Sequence, residues 1–180
     1  SIYLCVPGEA GWEVKGPYTE HGRMITGLAF AQGARTLISA DLYSETLFWE
    51  VAGAEVPHVM ERHEDLGWRL ALSPDGRLMA TIDRETMPDG GVASSLLVWD
   101  LDARYTIRRR IETGGRAYAL AYTPDGQRLV AGGDGAPIVV WDPASGEAID
   151  QVVRQHAGSV IELCFRERDG ALISVGRDGL

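Results

Sequence analysis

The chain has 180 residues, enough for one sizeable core, and 45% hydrophobic with 24% charged residues is ordinary for a globular domain. Its formal net charge of −9 argues against nucleic acid as a partner, because phosphate binding needs a basic surface. No apolar run reaches the roughly 18 residues of a membrane-spanning helix, so no membrane association is expected. The presence of one lysine against sixteen arginines, with no Asn, indicates a GC-rich, bacterial genome.

Two cysteines bear on the cellular compartment. Cys5 and Cys164 lie in apolar stretches and lack the Cys-x-x-Cys or Cys–His spacing of a metal site. We interpret them as buried, reduced core thiols, with a disulfide as the alternative if the chain ends meet. No signal peptide is visible, so the expectation is a cytoplasmic protein.

An apolar run that ends in Trp and an acid recurs along the chain. It occurs at 47–50 (LFWE), 96–100 (LLVWD) and 138–142 (IVVWD), and Leu4 occupies the corresponding earlier position. The spacing of these positions, between 42 and 50 residues, indicates structural repeats.

Two further patterns repeat in phase with the Trp. Turn-forming Ser/Thr-Pro-Asp-Gly stretches occur at 73–76 and 123–126, and weaker versions occur at 31–38 and 166–173. Pro presets φ in such a turn, Asp can bond its own backbone, and Gly tolerates positive φ. A polar residue begins each unit, at His21, His63, Thr113 and His156.

One unit illustrates the local structure of all of them. Between residues 113 and 155, four short runs with strand character are separated by turns. No stretch combines a helix cap with a 3.6-residue apolar period, so no helix is expected. Each unit is therefore predicted to contain four short antiparallel strands.

The three patterns together resemble those of WD40 repeats over the whole chain. The resemblance implies an all-β fold, a β-propeller whose four-stranded blades surround a central channel. It implies strands c and d of a partial blade at 1–20, blades at 21–62, 63–112 and 113–155, and strands a and b of a partial blade at 156–180. Four blades are few for this family, which usually has about seven or eight. Three arrangements stay open: part of a larger ring, a half-ring that dimerises, and a closed four-blade ring.

WD40 blades are commonly held by a buried tetrad of hydrogen-bonded side chains. Its members are a His at the blade start, a Ser or Thr on strand b, an Asp in the b–c loop and the strand c Trp. The blade that begins at His21 keeps Ser39 and Trp49, but Tyr43 stands where its Asp is due. The resemblance therefore implies an incomplete tetrad in this blade.

The remaining units depart further from the tetrad. The second blade keeps Thr81 and Trp99, but the insertion ETMPDGGVAS at 85–94 lengthens its b–c loop, and no Asp is assigned. We interpret this insertion as an ordinary surface loop, with a functional loop as the alternative. The third blade has Ala131 and Gly135 at the Ser and Asp positions. Core packing is thus expected to hold most blades.

The last unit keeps three members of the tetrad, His156, Ser174 and Asp178. These residue types also form hydrolase triads. We prefer the framework interpretation, since they match the repeat positions and no Gly-x-Ser-x-Gly elbow surrounds Ser174. The structural repeat residues implied are Trp49, Trp99, Asp100, Trp141, Asp142, His156, Ser174 and Asp178.

No pattern in the sequence specifies an enzyme, a metal site or a cofactor. Asp134 lies in a Gly-Asp-Gly loop of the kind that is usually a turn, and no Gly-Lys-Ser/Thr phosphate motif is present. We therefore expect no catalytic, metal or cofactor-binding residues.

The resemblance points instead to a protein-binding face. WD40 proteins commonly bind partners through the face that carries the d–a and b–c loops, at positions flanking the first residue of strand a. Trp, Tyr and Arg are frequent binding hot spots. Capping of the core by the aromatic residues is the equally weighted alternative. The predicted partner-binding residues are Met24, Leu66, Trp68, Arg116, Tyr118 and Arg177.

The sequence therefore predicts a non-catalytic WD40 scaffold that binds protein. A sensor or regulatory propeller of a multidomain bacterial effector, such as a kinase, peptidase or NTPase, is the alternative. A propeller hydrolase or lyase is a distant third possibility. A homo-oligomer that completes the ring is also open.

Overall fold

Sixteen β-strands and no helix form the part of the chain that the structure describes. This computed structural model describes residues 1–9, 11–31, 33, 35–41, 45–50, 58–62, 69–88, 90–103, 106–134, 137–152, 156–166 and 168–179, with the backbone alone at 18, 58–62 and 85. None of these residues forms a helix that could cross a membrane. The strands are β1 (Ile2–Gly8), β2 (Gly11–Tyr18), β3 (Ile25–Ala31), β4 (Thr36–Asp41), β5 (Glu45–Glu50), β6 (His58–Arg62), β7 (Leu70–Leu72), β8 (Leu78–Thr86), β9 (Val92–Asp100), β10 (Thr106–Glu112), β11 (Ala117–Tyr122), β12 (Leu129–Gly133), β13 (Ile138–Trp141), β14 (Ala148–Val152), β15 (Val160–Arg166) and β16 (Ala171–Gly176).

The strands form antiparallel sheets that follow one another along the chain. Three sheets have four strands each, β3 to β6, β7 to β10 and β11 to β14, and every strand pairs with its sequence neighbour. β1 pairs with β2, and β15 with β16, in two-stranded sheets. The first strands β3, β7, β11 and β15 contact one another in that order. The all-β, blade-based propeller predicted from the repeat is confirmed.

Apolar side chains pack between successive sheets, and a Trp lies at each of three junctions. Trp49 packs with Ile2 of the first sheet. Trp99 packs with Phe48, and Trp141 packs with apolar residues of β8 and β9. Because each buried Trp removes roughly 150–250 Å² from water, these side chains account for much of the adhesion between blades.

The Ser/Thr-Pro-Asp-Gly stretches form the tight turns that were predicted between the first and second strands of two blades. The Gly76 N–H donates to the Ser73 carbonyl, and the Gly126 N–H to the Thr123 carbonyl, each at 2.8 Å. Both glycines have positive φ, 68° and 70°. Glycine adopts this conformation at little cost, which explains its place in the pattern.

The Asp that follows Trp99 and the Asp that follows Trp141 each close the next turn. Oδ1 of Asp100 accepts the N–H groups two and three residues further on, at 3.0 and 2.9 Å. Oδ1 of Asp142 does the same at 2.7 and 3.2 Å. These N–H groups hold the pKa of Asp142 below its usual value. The repeated Trp-Asp pair thus combines a core anchor with a turn.

The interpretation of residues 85–94 as a loop is wrong for half of their length, residues 85–86 and 92–94. β8 and β9 continue through them, with Thr86 opposite Val92. The turn at 87–91 closes through a Met87 N–H bond to the Gly91 carbonyl at 2.7 Å, and Gly90 has a φ of 81°. Only the central Met-Pro-Asp-Gly-Gly has turn chemistry, and the flanking residues have ladder partners. We call β8 and β9 with this turn the long hairpin.

The two-stranded sheets leave their cysteines accessible, which contradicts the expectation of burial. Cys5 on β1 and Cys164 on β15 are both exposed and free. Each lies on a sheet that packs against one neighbouring sheet only in the described part of the chain. Large apolar side chains are exposed there too, Trp12 at 72% and Val14 at 62%. The reduced, cytoplasmic setting stays a prediction.

The ends of the row of sheets do not join in the part of the chain that the structure describes. β1 and β16, whose pairing would complete a blade, belong to separate sheets. The three arrangements of the ring therefore stay predictions.

Candidate functional site

The blade of β3 to β6 contains a complete tetrad. The Trp49 Nε1–H donates to Ser39 Oγ at 2.8 Å, and Ser39 Oγ lies 2.6 Å from His21 Nε2. His21 Nδ1 lies 3.2 Å from Asp41 Oδ2, and Asp41 Oδ1 accepts the Glu45 N–H at 3.1 Å. Each of the four side chains of this buried tetrad therefore has a hydrogen-bond partner, as burial requires.

The order of donors in this tetrad follows from its chemistry. Trp49 can only donate, so Ser39 accepts from it and donates its own proton to His21 Nε2. Nδ1 of His21 then carries the hydrogen and donates to the Asp41 carboxylate. Ser39 is fully buried and its hydroxyl is used twice, so it has neither access to a substrate nor a free lone pair directed at one. The arrangement holds the blade together.

The prediction of a broken tetrad in this blade is wrong. The carboxylate comes from Asp41, two residues after Ser39, and not from position 43, which lies outside the described residues. Residues two apart on a strand face the same way, so Asp41 lies beside Ser39 on β4. The sequence signal was an acid two positions after the Ser, and the family pattern directed attention four positions on.

The second blade repeats part of this arrangement. The Trp99 Nε1–H donates to Thr81 Oγ1 at 3.0 Å. Asp83, again two residues after the hydroxyl, is buried and forms an ion pair with Arg110 Nη2 at 3.0 Å. The His63 that begins this unit lies outside the described residues. The unassigned Asp of this blade therefore has a candidate in Asp83.

The third blade lacks the tetrad, as predicted from Ala131, whereas Gly135 lies outside the described residues. Trp141 Nε1 is buried without a hydrogen-bond partner among the described residues. A cavity of about 40 Å³, lined by Ala131 and Trp141, occupies the place of the missing polar groups. Such a group costs about 1–3 kcal/mol relative to a satisfied one.

The last sheet contains the predicted trio. His156 Nδ1 lies 3.1 Å from both oxygens of Asp178, and His156 Nε2 lies 2.9 Å from Ser174 Oγ. A Cβ on Gly176 would lie 2.4 Å from His156 Nδ1, so no other residue fits there. Gly176 is two residues after Ser174, the position of Asp41 in the first blade. In this sheet, the Asp four residues after Ser174 can therefore reach the His only because the residue two after Ser174 is Gly.

One group of side chains has metal-ligand character. His21, Asp41 and Glu45 bring their ligand atoms within 4.8 Å of one another. Both His21 nitrogens are already engaged by Ser39 and Asp41, and Asp41 Oδ1 by a backbone N–H. The tetrad therefore accounts for this cluster without an ion.

Three of the six predicted partner-binding residues meet at one cavity. Met24 just before β3, Tyr118 on β11 and Arg177 just after β16 line a cavity of about 360 Å³ near the ends of the first strands. We call it the inner-strand cavity. The residues that line it are Met24, Ile25, Thr26, Arg69, Tyr118, Ile161 and Arg177. Leu66 and Trp68 lie outside the described residues.

A hydrogen-bonded carboxylate supports the wall of this cavity. Asp134 accepts the Tyr118 hydroxyl at 2.8 Å and the Ser159 hydroxyl, and Arg116 Nη1 lies 3.8 Å away. The Ser159 bond, followed by the Tyr118 bond and the two nearby charges of Arg116 and Arg177, holds the pKa of Asp134 below its usual value. Arg116 is not among the residues that line the cavity. The sequence suggested a Ca²⁺ or phosphate loop at Asp134 and favoured an ordinary turn, and it gave no sign of this supporting role.

A second, more polar cavity of about 470 Å³ lies at the opposite ends of β8 and β9. Arg77 pairs with Asp102 at 2.7 Å and Arg108 with Asp100 at 3.6 Å. Asp75, the fifth charged residue of the lining, accepts the Ser73 hydroxyl and the Arg77 N–H. Each charged side chain of this lining therefore has a partner within the protein, and such exposed pairs contribute little to stability.

Comparisons with known proteins agree with the fold. No family model matches the chain. It is 30% identical over 130 residues to the cilia- and flagella-associated protein 52 of Chlamydomonas reinhardtii. This match covers 71% of this chain and 20% of that protein. The solved structure of U3-55K, a WD40 propeller protein, matches with a TM-score of 0.65 at 21% identity, over 81% of this chain and 43% of that chain. The chain thus has a WD40-like propeller fold and spans about a fifth of the relative's length.

Proposed function

We propose that this chain is a non-catalytic protein–protein interaction scaffold whose contact surface is the inner-strand cavity. One observation carries the proposal: Met24 just before β3, Tyr118 on β11 and Arg177 just after β16 line one cavity. Met, Tyr and Arg are enriched in protein interfaces, and Tyr and Arg are frequent hot spots. A rigid set of blades holds them in place, as expected of a binding platform.

The tetrads support the non-catalytic part of the proposal. The hydroxyl of Ser39 is buried and fully bonded, and Ser174 occupies the same place relative to its His. Since both sets match the framework of a blade, neither needs a catalytic role. A propeller hydrolase or lyase would instead need a reactive group that faces a cavity.

A sensor or regulatory propeller within a multidomain effector is the second candidate. The observation that favours it is the relative's length, since this chain spans 20% of it. The inner-strand cavity would then bind a segment of the same protein or of another protein.

Affinity capture with variants of the cavity tests the proposal. Partners retained by the unaltered chain are quantified by mass spectrometry and compared with those of the double variant Met24→Ala/Tyr118→Ala. We expect those partners to fall by about tenfold or more, because truncation of a hot spot costs at least 1–2 kcal/mol. Thermal melting of both chains verifies that the variant is folded.

The matched control alters two exposed apolar residues on the last strands of two blades. Ile107→Ala/Ile149→Ala removes similar apolar area far from the cavity, since Ile107 lies on β10 and Ile149 on β14. This control should leave the partners in place. Equal retention by the cavity variant and the control would contradict the proposed surface.

A further inference from the structure

The inner-strand cavity is surrounded by arginines although the chain is acidic overall. The chain has a formal net charge of −9. Among the described residues, the charged members of its lining are two arginines, Arg69 and Arg177, and no carboxylate. The carboxylates of Glu162 and Asp134 bond to lining residues, Arg84 stacks on Tyr118, and Arg116 pairs with Asp134. A concave surface with one sign of charge concentrates ligands of the opposite sign.

Both carboxylates are already neutralised by the protein. Glu162 forms an ion pair with Arg69 Nη2 at 2.6 Å, and Arg69 also donates to the Ile161 carbonyl at 3.1 Å. Asp134 is bonded by two hydroxyl groups and lies beside Arg116. Arg69 and Arg116 therefore have internal partners and serve to shape the cavity.

Arg177 differs from these arginines. It lines the cavity, its side chain is exposed, and no described carboxylate forms an ion pair with it. Its backbone N–H, at 2.9 Å from the Ser159 carbonyl, fixes its position independently of the side chain. A guanidinium in such a place can donate two parallel hydrogen bonds to a carboxylate.

The rest of the lining is largely apolar and aromatic. Met24 is 62% exposed and lines the cavity together with Ile161 and Tyr118. The Arg84 guanidinium lies 5.3 Å from the centre of the Tyr118 ring, and the hydroxyl donates to Asp134, so the ring is held in place. A preorganised aromatic group loses little entropy when a partner side chain packs against it.

We propose that the inner-strand cavity binds an acidic peptide segment of a partner protein, with a carboxylate on Arg177 and a neighbouring apolar side chain against Met24, Ile161 and Tyr118. This inference rests on the proposed function and specifies its partner. A cavity of about 360 Å³ is large enough for one or two side chains and too small for a folded element.

Selection from a displayed library of random peptides tests the inference. We expect selected peptides to be enriched in Asp or Glu next to Leu, Ile or Met. Fluorescence anisotropy with a labelled selected peptide should show affinity that falls with added salt, as for any exposed ionic contact. Arg177→Glu should weaken binding by about tenfold or more, and Arg177→Gln should weaken it less.

Arg168→Glu is the matched control. Arg168 is exposed in the turn between β15 and β16, at the end of the same sheet opposite Arg177. It changes the net charge equally and should change affinity by less than about twofold.

Three outcomes would overturn the inference: no peptide selected, peptides without acidic enrichment, or acidic peptides that bind Arg177→Glu and Arg168→Glu equally. Selected peptides that are not acidic but are lost with Met24→Ala/Tyr118→Ala would leave the scaffold function standing while this inference fails. Affinity capture unchanged by Met24→Ala/Tyr118→Ala would remove the proposed function itself.

Discussion

At the scale of single residues, the tetrads show how one missing hydroxyl alters a buried indole. The indoles of Trp49 and Trp99 each donate to a hydroxyl on the second strand of their blade, whereas Trp141 faces Ala131 and has no partner among the described residues. All three are buried, so the difference lies in hydrogen bonding and not in packing.

Ala131→Ser is expected to stabilise the chain. The new hydroxyl would occupy the cavity of about 40 Å³ and accept the Trp141 Nε1–H, as Ser39 does for Trp49. We expect the free energy of unfolding to rise by about 1 kcal/mol, measured by urea denaturation. Ala144→Ser, in an exposed turn of the same blade, should change it by less than about 0.5 kcal/mol. A decrease for Ala131→Ser would contradict the view that the unpaired indole lacks only a hydroxyl partner.

At the scale of elements, the Ser/Thr-Pro-Asp-Gly turns depend on a charged carboxylate. Asp125 Oδ1 accepts the Thr123 hydroxyl and the Gln127 N–H, the latter at 3.0 Å. The Thr123 bond first, and then the backbone bond, hold the pKa of Asp125 below its usual value of 3.8. Asp75 has the same arrangement with Ser73 and Arg77.

Asp125→Asn should reveal this contribution as a dependence on pH. Because the pKa is lower in the folded chain, the carboxylate stabilises the fold above its unfolded pKa, and this stability is lost as pH falls through the folded pKa. We therefore expect Asp125→Asn to lower the free energy of unfolding at neutral pH and to differ less from the unaltered chain near about pH 3. Denaturant unfolding at both pH values measures the two differences.

Thr123→Val provides the control for this prediction. It removes the hydroxyl that is the largest cause of the lowered pKa of Asp125. In that background the pH dependence of the Asp125→Asn effect should shrink. An undiminished dependence would assign the effect to other carboxylates.

At the scale of the whole molecule, stability should fall from the inner sheets toward the two-stranded ends. β4, β8, β9 and β12 are buried between neighbouring sheets, and their burial is close to complete along most of their length. In the two-stranded sheets, the described side chains of β2 are exposed, and no residue of β16 is buried. Local opening costs least where few apolar contacts are lost.

Hydrogen exchange followed by mass spectrometry tests this gradient. We expect amides of β1, β2, β15 and β16 to exchange before those of β8 and β9, although all of these strands are paired in sheets. Intrinsic exchange rates of the unfolded peptides provide the correction. Equal protection of end and inner strands would mean that another surface covers the two-stranded sheets.

The sequence predicted the architecture well because its main signals are local. A turn such as 123–126 and a run such as 138–142 determine their own backbone, and their period predicted the blades. The Asp41 carboxylate was missed because the family pattern places the Asp in the loop after the strand. Asp41 is instead the last residue of β4, so it lies on the same face as Ser39. Cys5 and Cys164 were expected to be buried because their sequence neighbours are apolar. Apolar neighbours do not reveal whether another sheet covers that face, so this expectation was wrong.

The length of the long hairpin is independent of the packing inside its blade. Eighteen positions separate Thr81 from Trp99 and ten separate Ser39 from Trp49, yet both pairs form the same hydrogen bond. Thr81 lies opposite Leu97 as Ser39 lies opposite Leu47, so both hairpins have the same register at this hydrogen bond. Beyond these residues β8 and β9 each extend three residues further than β4 and β5, and the longer turn contains the other two of the eight extra positions. Three residues extend a strand by roughly 10 Å. The long hairpin can therefore become longer or shorter without a change in the hydrogen bond of its Trp or in the packing between blades.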